Sequence, residues 1–398
     1  MKDVFVIDAV RTAIGKYGGT LSHVRPDDLA AHVLKKLVER NTSIDYNELE
    51  DVIFGAANQA GEDNRNVARM ALLLAGLPVT TGGNTVNRLC ASGLQSIADA
   101  ARCIQAGDGD FYIAGGVESM TRAPFVLAKS NAAFSRVPEI YDTTIGWRFT
   151  NKRLAELYYP YSMGETAENV AEKWHISRKE QDEFAFNSQV KYQNAYKAGL
   201  FNDEIVPVEI PQKDGNPILF NKDEHPRASS LEDLAKLKPA FKKDGTVTAG
   251  NSSGLNDGAA ALILVGEETV KKFNLKPMAR IVSKAAAGVD PAIMGIGPVP
   301  ATQKALKRAG LNIHDIGFVE LNEAFASQSI ACIRELNINP SIVNVQGGAI
   351  ALGHPLGASG ARISTTLLHA MKRNNVKYGL ATMCVGVGQG VAIIYENL

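Results

Sequence analysis

At 398 residues, with 45% hydrophobic and 21% charged side chains, the chain has ordinary globular composition and the length for two or three domains with sizeable cores. Its 42 Lys and Arg balance its 42 Asp and Glu, so no global field draws it to nucleic acid or an anionic membrane, although a local basic patch could still hold an anionic ligand. No apolar stretch reaches ~18 residues, which excludes a helical membrane span.

The opening Met1-Lys-Asp-Val-Phe-Val-Ile-Asp8 reads as a strand ending in an acid rather than a signal peptide. The closing Tyr395-Glu-Asn-Leu398 is not the small peroxisomal tripeptide signal, so a cytoplasmic protein is expected. After the first strand comes a glycine-rich connection through Gly15, Gly18 and Gly19. A helix capped by Asp27 or Asp28 follows, with Leu29, Val33, Leu34, Leu37 and Val38 at helical spacing. Strands at 52–54, 85–87 and 111–114 alternate with helices at 67–74 and 93–104. The later residues repeat the series: strands at 279–283, 318–321, 342–344 and 380–383, and helices at 301–308, 324–335 and 358–372. Such alternation predicts an α/β fold of βαβ units with mixed, mostly parallel sheets.

The two halves align at an offset of 267, which lays Gly55 on Asn322, Val117 on Cys384, and Ala91-Ser92-Gly93 on Ala358-Ser359-Gly360. In the second half a short turn at 385–389 leads straight into the last apolar strand, whereas the equivalent strand of the first half, at 258–265, arrives only after residues 121–249. The domains expected are therefore residues 1–120 with 249–272, an inserted loop domain at 121–248, and residues 273–398. The insert carries helices at 166–174 and 178–198. Because the matching turn holds Cys384, the insert is read as a lid or ligand-holding domain, or else as a solvated decoration.

Of the four cysteines, none has metal-ligand spacing, so no metal site is expected; Cys103 and Cys332 fall on helical runs and read as packed thiols. Cys90 stands between a strand and a helix, where free N–H groups and the helix dipole favour a thiolate and could stabilise an oxyanion. His354 lies within Gly347–Gly360, five glycines in fourteen residues, with Pro355 holding it extended. It could serve as general base to a thiol, and the segment lacks the glycine spacing of a dinucleotide loop. Cys384 opens Cys-Val-Gly-Val-Gly388, where Gly386 can present its N–H to a ligand. Its thiol is either a second acid/base or one more packed group. Asn322 ends a strand and could hold a water or a carbonyl. Glu323 beside it is either catalytic or a helix-cap charge.

Four segments in this order resemble the thiolase family over essentially the whole chain: Asn87-Arg-Leu-Cys-Ala-Ser-Gly93, Asn322-Glu-Ala-Phe325, Gly347–Gly360 and Cys384–Gly388. The resemblance implies a duplicated thiolase fold with sheets stacked in layers, and a reversible Claisen reaction on coenzyme A thioesters. It implies Cys90 as the acyl-carrying nucleophile, His354 as its activator, and Cys384 as the group moving the proton at the α-carbon. The N–H groups of Cys90 and Gly386 would form one oxyanion hole, and His354 with a water on Asn322 the other. Ser162-Met-Gly-Glu-Thr-Ala-Glu168 is similar to the family's pantetheine loop, with Met163 lining the tunnel, although biosynthetic members have His where this chain has Ser162. Ala249 and Ser253 lie in a loop similar to the one that holds pantetheine amides, and Phe325 would pack on the same arm. Arg227 is either a partner for the adenosine end or a solvated arginine. CoA is thus the implied co-substrate, with acyl-CoA its partner molecule, no covalently bound cofactor, and a homodimer or homotetramer as the assembly.

Two rivals stand beside this reading. A ketosynthase shares the architecture but uses one Cys with His-His or His-Asn, and an acyl-CoA or lipid binding protein would need no reactive thiols. On substrate, Asp142-Thr-Thr-Ile-Gly-Trp-Arg-Phe149 and Asp223-Glu-His-Pro-Arg227 resemble degradative thiolases, including those acting on 3-oxoadipyl-CoA. Residues 348–353 and 236–260 look equally like the biosynthetic acetoacetyl-CoA branch. A 3-ketoacyl-CoA thiolase is the favoured expectation.

Overall fold

The computed structural model describes every residue except 1, 131, 214 and 228. Nine strands carry its main sheet: β1 (Phe5–Arg11), β2 (Asp51–Gly55), β3 (Gly82–Val86), β4 (Phe111–Ser119), β5 (Asn256–Val265), β6 (Ala279–Gly288), β7 (Phe318–Leu321), β8 (Tyr378–Val385) and β9 (Gln389–Asn397). They run in the order β7-β8-β9-β6-β1-β5-β4-β2-β3, with a two-residue strand at Gly15–Lys16 added to β5. β1 joins the halves, pairing with β5 on one side and, at Phe5↔Arg280 and Val6↔Ala279, with β6 on the other.

The mixed α/β class expected from the sequence is present, but parallel pairing is confined to β2–β3, β2–β4 and β7–β8. The remaining ladders are antiparallel, against the expectation of a mostly parallel sheet. The reason lies in how each half closes. β9 returns from β8 through a hairpin, which can only be antiparallel, and β5 lies on β4 in the equivalent way.

Helices α1 (Pro26–Arg40) and α2 (Val67–Leu74) cover the outer face of the first half, and α3 (Ser92–Ala106) lies inside. α4 (Met163–Lys173) and α5 (Arg178–Lys197) lie between β4 and β5 in sequence. In the second half α6 (Pro298–Ala309) and α7 (Ala326–Glu335) lie outside, and α8 (Leu356–Asn374) inside. One apolar cluster unites Leu94 and Ile97 of α3, Ile363 and Leu367 of α8, Leu262 of β5 and Ile393 of β9. The two halves of the continuous sheet thus enclose α3 and α8, with α1 and α2 outside one half and α6 and α7 outside the other. α8 is buried continuously from Gly357 to Met371, its two large polar residues partnered: Arg362 by Glu320 at 3.2 Å and His369 by Ala9 C=O at 2.9 Å.

α3 and α8, equivalent under the repeat, meet main chain to main chain near their N-termini. A Cβ added to Gly93 would overlap the Gly357 carbonyl and the Ala361 nitrogen, and one added to Gly360 would overlap the Leu94 backbone. Neither neighbour is a side chain that can turn aside. Gly360→Ala is thus expected to cost about 1–3 kcal/mol of stability by overpacking; an unchanged denaturation midpoint would refute the tightness of this contact.

Two local expectations are corrected. α1 starts at Pro26 with Arg25 at the N-cap, so Asp27 and Asp28 sit in the first turn, where their charges face the helix dipole. The strand expected at 342–344 is a 3-10 turn over Pro340–Ile342 and a single bridge, Val319↔Val343. Asn344 turns left-handed (φ 46°), and its side chain accepts from Leu321 N–H (2.9 Å) and donates to Leu321 C=O (2.8 Å). One side-chain amide thereby satisfies both backbone groups of Leu321 that a longer neighbouring strand would have met.

The polar stretch between β4 and β5 holds α4, α5 and two short ribbons, Phe125–Leu127 with Ile140–Asp142 and Val208–Ile210 with Ile218–Phe220. It is tied to the end of β1 by Arg11. This wholly buried guanidinium donates to Asp223 at 2.7 and 3.1 Å, to Glu204 at 2.6 Å and to Thr12 C=O at 3.1 Å. Asp223 also accepts from Ile14 N–H, and Glu204 from Thr366 of α8. Among the described residues no helix is long and apolar enough to cross a membrane.

Candidate active site

Cys90 stands in a tight turn between β3 and α3. Leu89 before it takes a left-handed φ of 46°, a conformation a branched aliphatic residue adopts only under constraint. The constraint is visible: Asn87 Oδ1 accepts from Leu89 N–H (2.8 Å), and Ser92 Oγ accepts from Arg88 N–H (2.9 Å) while donating to Leu89 C=O (2.6 Å). Cys90 is partly exposed and lines a cleft. Burial pushes its thiol up to about 11, opposed by the N–H groups of Gly386 and of Cys90 itself, which point at the sulfur.

Gly386 begins the turn from β8 to β9, whose remaining residues Val387 and Gly388 are both left-handed (φ 61° and 78°). A β-branched residue in that region is strained, so this turn too is held rather than relaxed. Cys384, near the end of β8, is buried among Met163, Ala167, Val247, Met294, Ala324 and Phe325. Burial first, and then the neighbouring sulfurs of Cys90 and Cys332, hold its thiol well above the usual cysteine range, so it is protonated at neutral pH.

His354 follows Gly353, whose φ of 108° and whose closeness to Asn256 leave no room for a Cβ. Asn256 Oδ1 accepts the His354 backbone N–H (2.9 Å), and its amide donates to Gly15 C=O (2.9 Å). The ring Nδ1 lies 2.6 Å from Ser359 Oγ, which is 2.9 Å from Pro355 C=O. A carbonyl can only accept, so the hydroxyl proton goes to Pro355 and Nδ1–H donates to Ser359. That leaves Nε2 as the unprotonated nitrogen. Asn322 Nδ2 faces the ring edge at 3.4 Å from Nε2, and Asn322 Oδ1 is buried without a partner among the described residues, an acceptor free for a donor. Burial, with Arg362 adding to it, lowers His354 to about 3, so the imidazole is neutral.

The resting pair is thus neutral thiol and neutral imidazole, and among the described residues no hydrogen bond joins the Cys90 sulfur to the ring. Proton transfer must accompany attack on a ligand rather than precede it. Alkylation of Cys90 by iodoacetamide is accordingly expected to accelerate without a plateau from pH 7 to 10, since a thiol near 11 gains thiolate across that whole range. A plateau beginning near pH 7 would mean that a thiolate–imidazolium pair forms at rest.

Cys90, Gly386 and Met163 share a cleft of about 370 Å³ with Asn58, Glu118, Met120, Thr143, Trp147 and Arg148. Met163 and Phe325 both pack on Cys384, and Phe241 meets Phe325 edge to face at 6.2 Å. Ser253 donates its N–H to Ala324 C=O, placing it beside the same arm. Arg227 and Ala249 lie apart from the cleft. Arg227 is exposed and donates to Ala249 C=O at 3.1 Å, in a neighbouring depression with Gln189 and Gly250. Ser162, where biosynthetic members were expected to differ, forms a capping box with Glu165 that starts α4.

Glu323 is a structural tie rather than a free acid. It accepts from Ser188 Oγ (2.7 Å), Asn344 Nδ2 (2.7 Å) and Ile350 N–H (3.1 Å). Three groups of evident importance went unnoticed in the sequence: Ser359, Asn256 and Glu118. Glu118 accepts the N–H groups of Ala57, Asn58 and Gly357 (2.7–3.1 Å), binding the two halves together under the cleft, and burial raises it to about 7. Ser359 alone left a signal, the repeated Ala-Ser-Gly, since Ser92 closes the equivalent turn.

Comparison with known proteins agrees along the full length. The family model described as thiolase, N-terminal domain matches residues 4–268, and that described as thiolase, C-terminal domain matches residues 275–397. The Beta-ketoadipyl-CoA thiolase of Pseudomonas aeruginosa is 56% identical over 400 residues, covering 100% of each chain. The 3-oxoadipyl-CoA/3-oxo-5,6-dehydrosuberyl-CoA thiolase of Escherichia coli K12 is 55% identical over 401 residues, again covering 100% of each. Among solved structures, human mitochondrial 3-ketoacyl-CoA thiolase in complex with CoA superposes with a TM-score of 0.92 at 42% identity, covering 100% of this chain and 98% of that one.

Proposed function

This chain belongs to the thiolase family, and on that premise we propose that it cleaves 3-oxoadipyl-CoA with CoA to give succinyl-CoA and acetyl-CoA. The observation that carries the substrate is the pair of full-length relatives at 55–56% identity whose names specify that dicarboxylic acyl chain. The expectation of a general 3-ketoacyl-CoA thiolase is narrowed accordingly.

In this reading Cys90 sulfur attacks the C3 ketone carbon while His354 Nε2 takes its proton. The oxygen becomes an oxyanion, met by preorganised donors of the kind this site presents. Collapse of that adduct breaks the C2–C3 bond, leaving a succinyl group on Cys90 and the enolate of acetyl-CoA. Cys384, protonated because it is buried, gives its proton to the enolate carbon. Its thiolate then takes the proton of incoming CoA, whose sulfur attacks the succinyl thioester, and Cys90 leaves to recover its proton from His354. Two oxyanions arise at different carbonyls, one for each donor set: the N–H groups of Cys90 and Gly386, and His354 with a water on Asn322 Oδ1.

Residues 121–248 are proposed to hold the CoA arm, with Met163, Phe325 and Ser253 near the cleft and Ala249 and Arg227, which lie outside it, meeting the far end. The assembly is proposed to be a homodimer or homotetramer, to be read from light scattering. The functional test is thiolysis of 3-oxoadipyl-CoA beside acetoacetyl-CoA, with succinyl-CoA and acetyl-CoA detected as products. Preference for acetoacetyl-CoA would instead favour an acetyl-CoA acetyltransferase, and binding of both without turnover would favour a non-catalytic protein.

A further inference from the structure

Resting on the dicarboxylic substrate just proposed, the geometry points to Arg148 as the residue that recognises the terminal carboxylate of the acyl chain. The cleft that opens on Cys90 is walled largely by apolar side chains, among them Met120, Ile145, Trp147, Met163 and Leu356. Its lining contains one cation, Arg148, and one acid, Glu118. Glu118 spends its carboxylate on the N–H groups of Ala57, Asn58 and Gly357. Arg148, half-buried, has no ion pair or hydrogen bond among the described residues. Partly exposed and with no protein counter-ion among the described residues, this guanidinium is free to meet an anion brought by a ligand, and its planar fork suits a carboxylate.

The segment that presents Arg148 is held in place. Asn58 Nδ2 donates to Thr143 Oγ1 (2.9 Å), Thr143 Oγ1 donates to Pro124 C=O (2.5 Å), and Trp147 Nε1 donates to Tyr161 C=O (3.1 Å). Arg148 lies between two left-handed residues, Gly146 (φ 90°) and Phe149 (φ 50°), and the Phe149 ring is pinned edge-on against Tyr141 at 4.8 Å. Backbone strain at a bulky residue is kept where the surroundings impose it, commonly at ligand sites. The acyl group left on Cys90 after cleavage would carry its carboxylate at the far end of a short, otherwise apolar chain. The cleft offers that arrangement, with the thiol at one place on its wall and a lone cation at another.

The anion could instead be a phosphate of CoA, and the experiment separates the two. Thiolysis of 3-oxoadipyl-CoA and of 3-oxohexanoyl-CoA, which lacks only the terminal carboxylate, is measured for the wild type, Arg148→Met and Arg148→Lys. The ratio of kcat/KM between the two substrates is expected to fall by ~10²-fold in Arg148→Met, the size of a lost charge-assisted hydrogen-bonded pair, and less in Arg148→Lys. An unchanged ratio overturns the assignment, and an unchanged ratio with a raised KM for CoA assigns Arg148 to a phosphate. A wild type that ignores 3-oxoadipyl-CoA while cleaving acetoacetyl-CoA overturns the proposed function itself. A measurement needing no variant is the wild-type affinity for succinyl-CoA against butyryl-CoA. Succinyl-CoA is expected to bind more tightly, and equal affinities also overturn the inference.

Discussion

Cys90→Ala should lower thiolysis by about 10⁴-fold or more if Cys90 carries the acyl group as proposed, because removal of a covalent nucleophile costs on that scale. The loss should fall on kcat, with binding of CoA nearly preserved, since the small side chain is removed from a site whose walls are built by other residues. Cys384→Ala should be nearly as inactive in cleavage but differ in kind. Acetyl-CoA should still transfer its acetyl group to Cys90, slowly, because that exchange needs no proton moved at carbon. Mass spectrometry of the peptide containing Cys90, in Cys384→Ala and in the wild type, reads the acetyl transfer. Acetylated Cys90 in neither of these two proteins would remove the nucleophile from the mechanism. Equal labelling with cleavage intact in Cys384→Ala would remove the second thiol.

Arg11→Met should destabilise the fold by about 3–5 kcal/mol, the scale for breaking a buried ion pair from one side. Asp223 and Glu204 would lose their hydrogen-bonded cation in the interior, and among the described residues Glu204 Oε2 already has no hydrogen-bond partner. The damage should concentrate where the ties are, between β1 and the polar stretch around residues 204–224, so proteolysis in that stretch should precede global unfolding. Adding Glu204→Gln and Asp223→Asn to Arg11→Met should restore much of the loss, since the stranded charges rather than missing contacts cause it. A single variant that melts with the wild type would mean that the carboxylates find other partners.

Much of this architecture is legible in the amino-acid sequence. The offset of 267 lays the turns before α3 and α8 on each other, although α3 begins at Ser92 whereas its equivalent, Ser359, lies in the first turn of α8, which begins at Leu356. Apolar periodicity found most elements because helices and strands here bury clear faces. It failed where a side chain replaces backbone: Asn344 completes the Leu321 pairing, and no periodicity records an amide standing in for a strand. It failed again at Ser359 and Asn256, which orient His354 from five residues along the chain and from the other half. Such roles depend on which groups already have their protons committed, a property of the assembled network. Arg148 was read within its segment, but what makes it distinctive is a missing partner, and absence of an ion pair is written nowhere in a sequence.

The glycine seam between α3 and α8 has a consequence for heredity. Side chains can be exchanged over generations with neighbours adjusting around them, but where one peptide rests on another there is nothing to exchange. Cys90 and His354 precede the two helices joined by that seam, so their separation depends on main-chain contact there as well as on the side chains that hold each turn. A larger residue at Gly93 or Gly360 would push the two turns apart, whereas exchanges elsewhere on the cleft wall would leave their spacing alone.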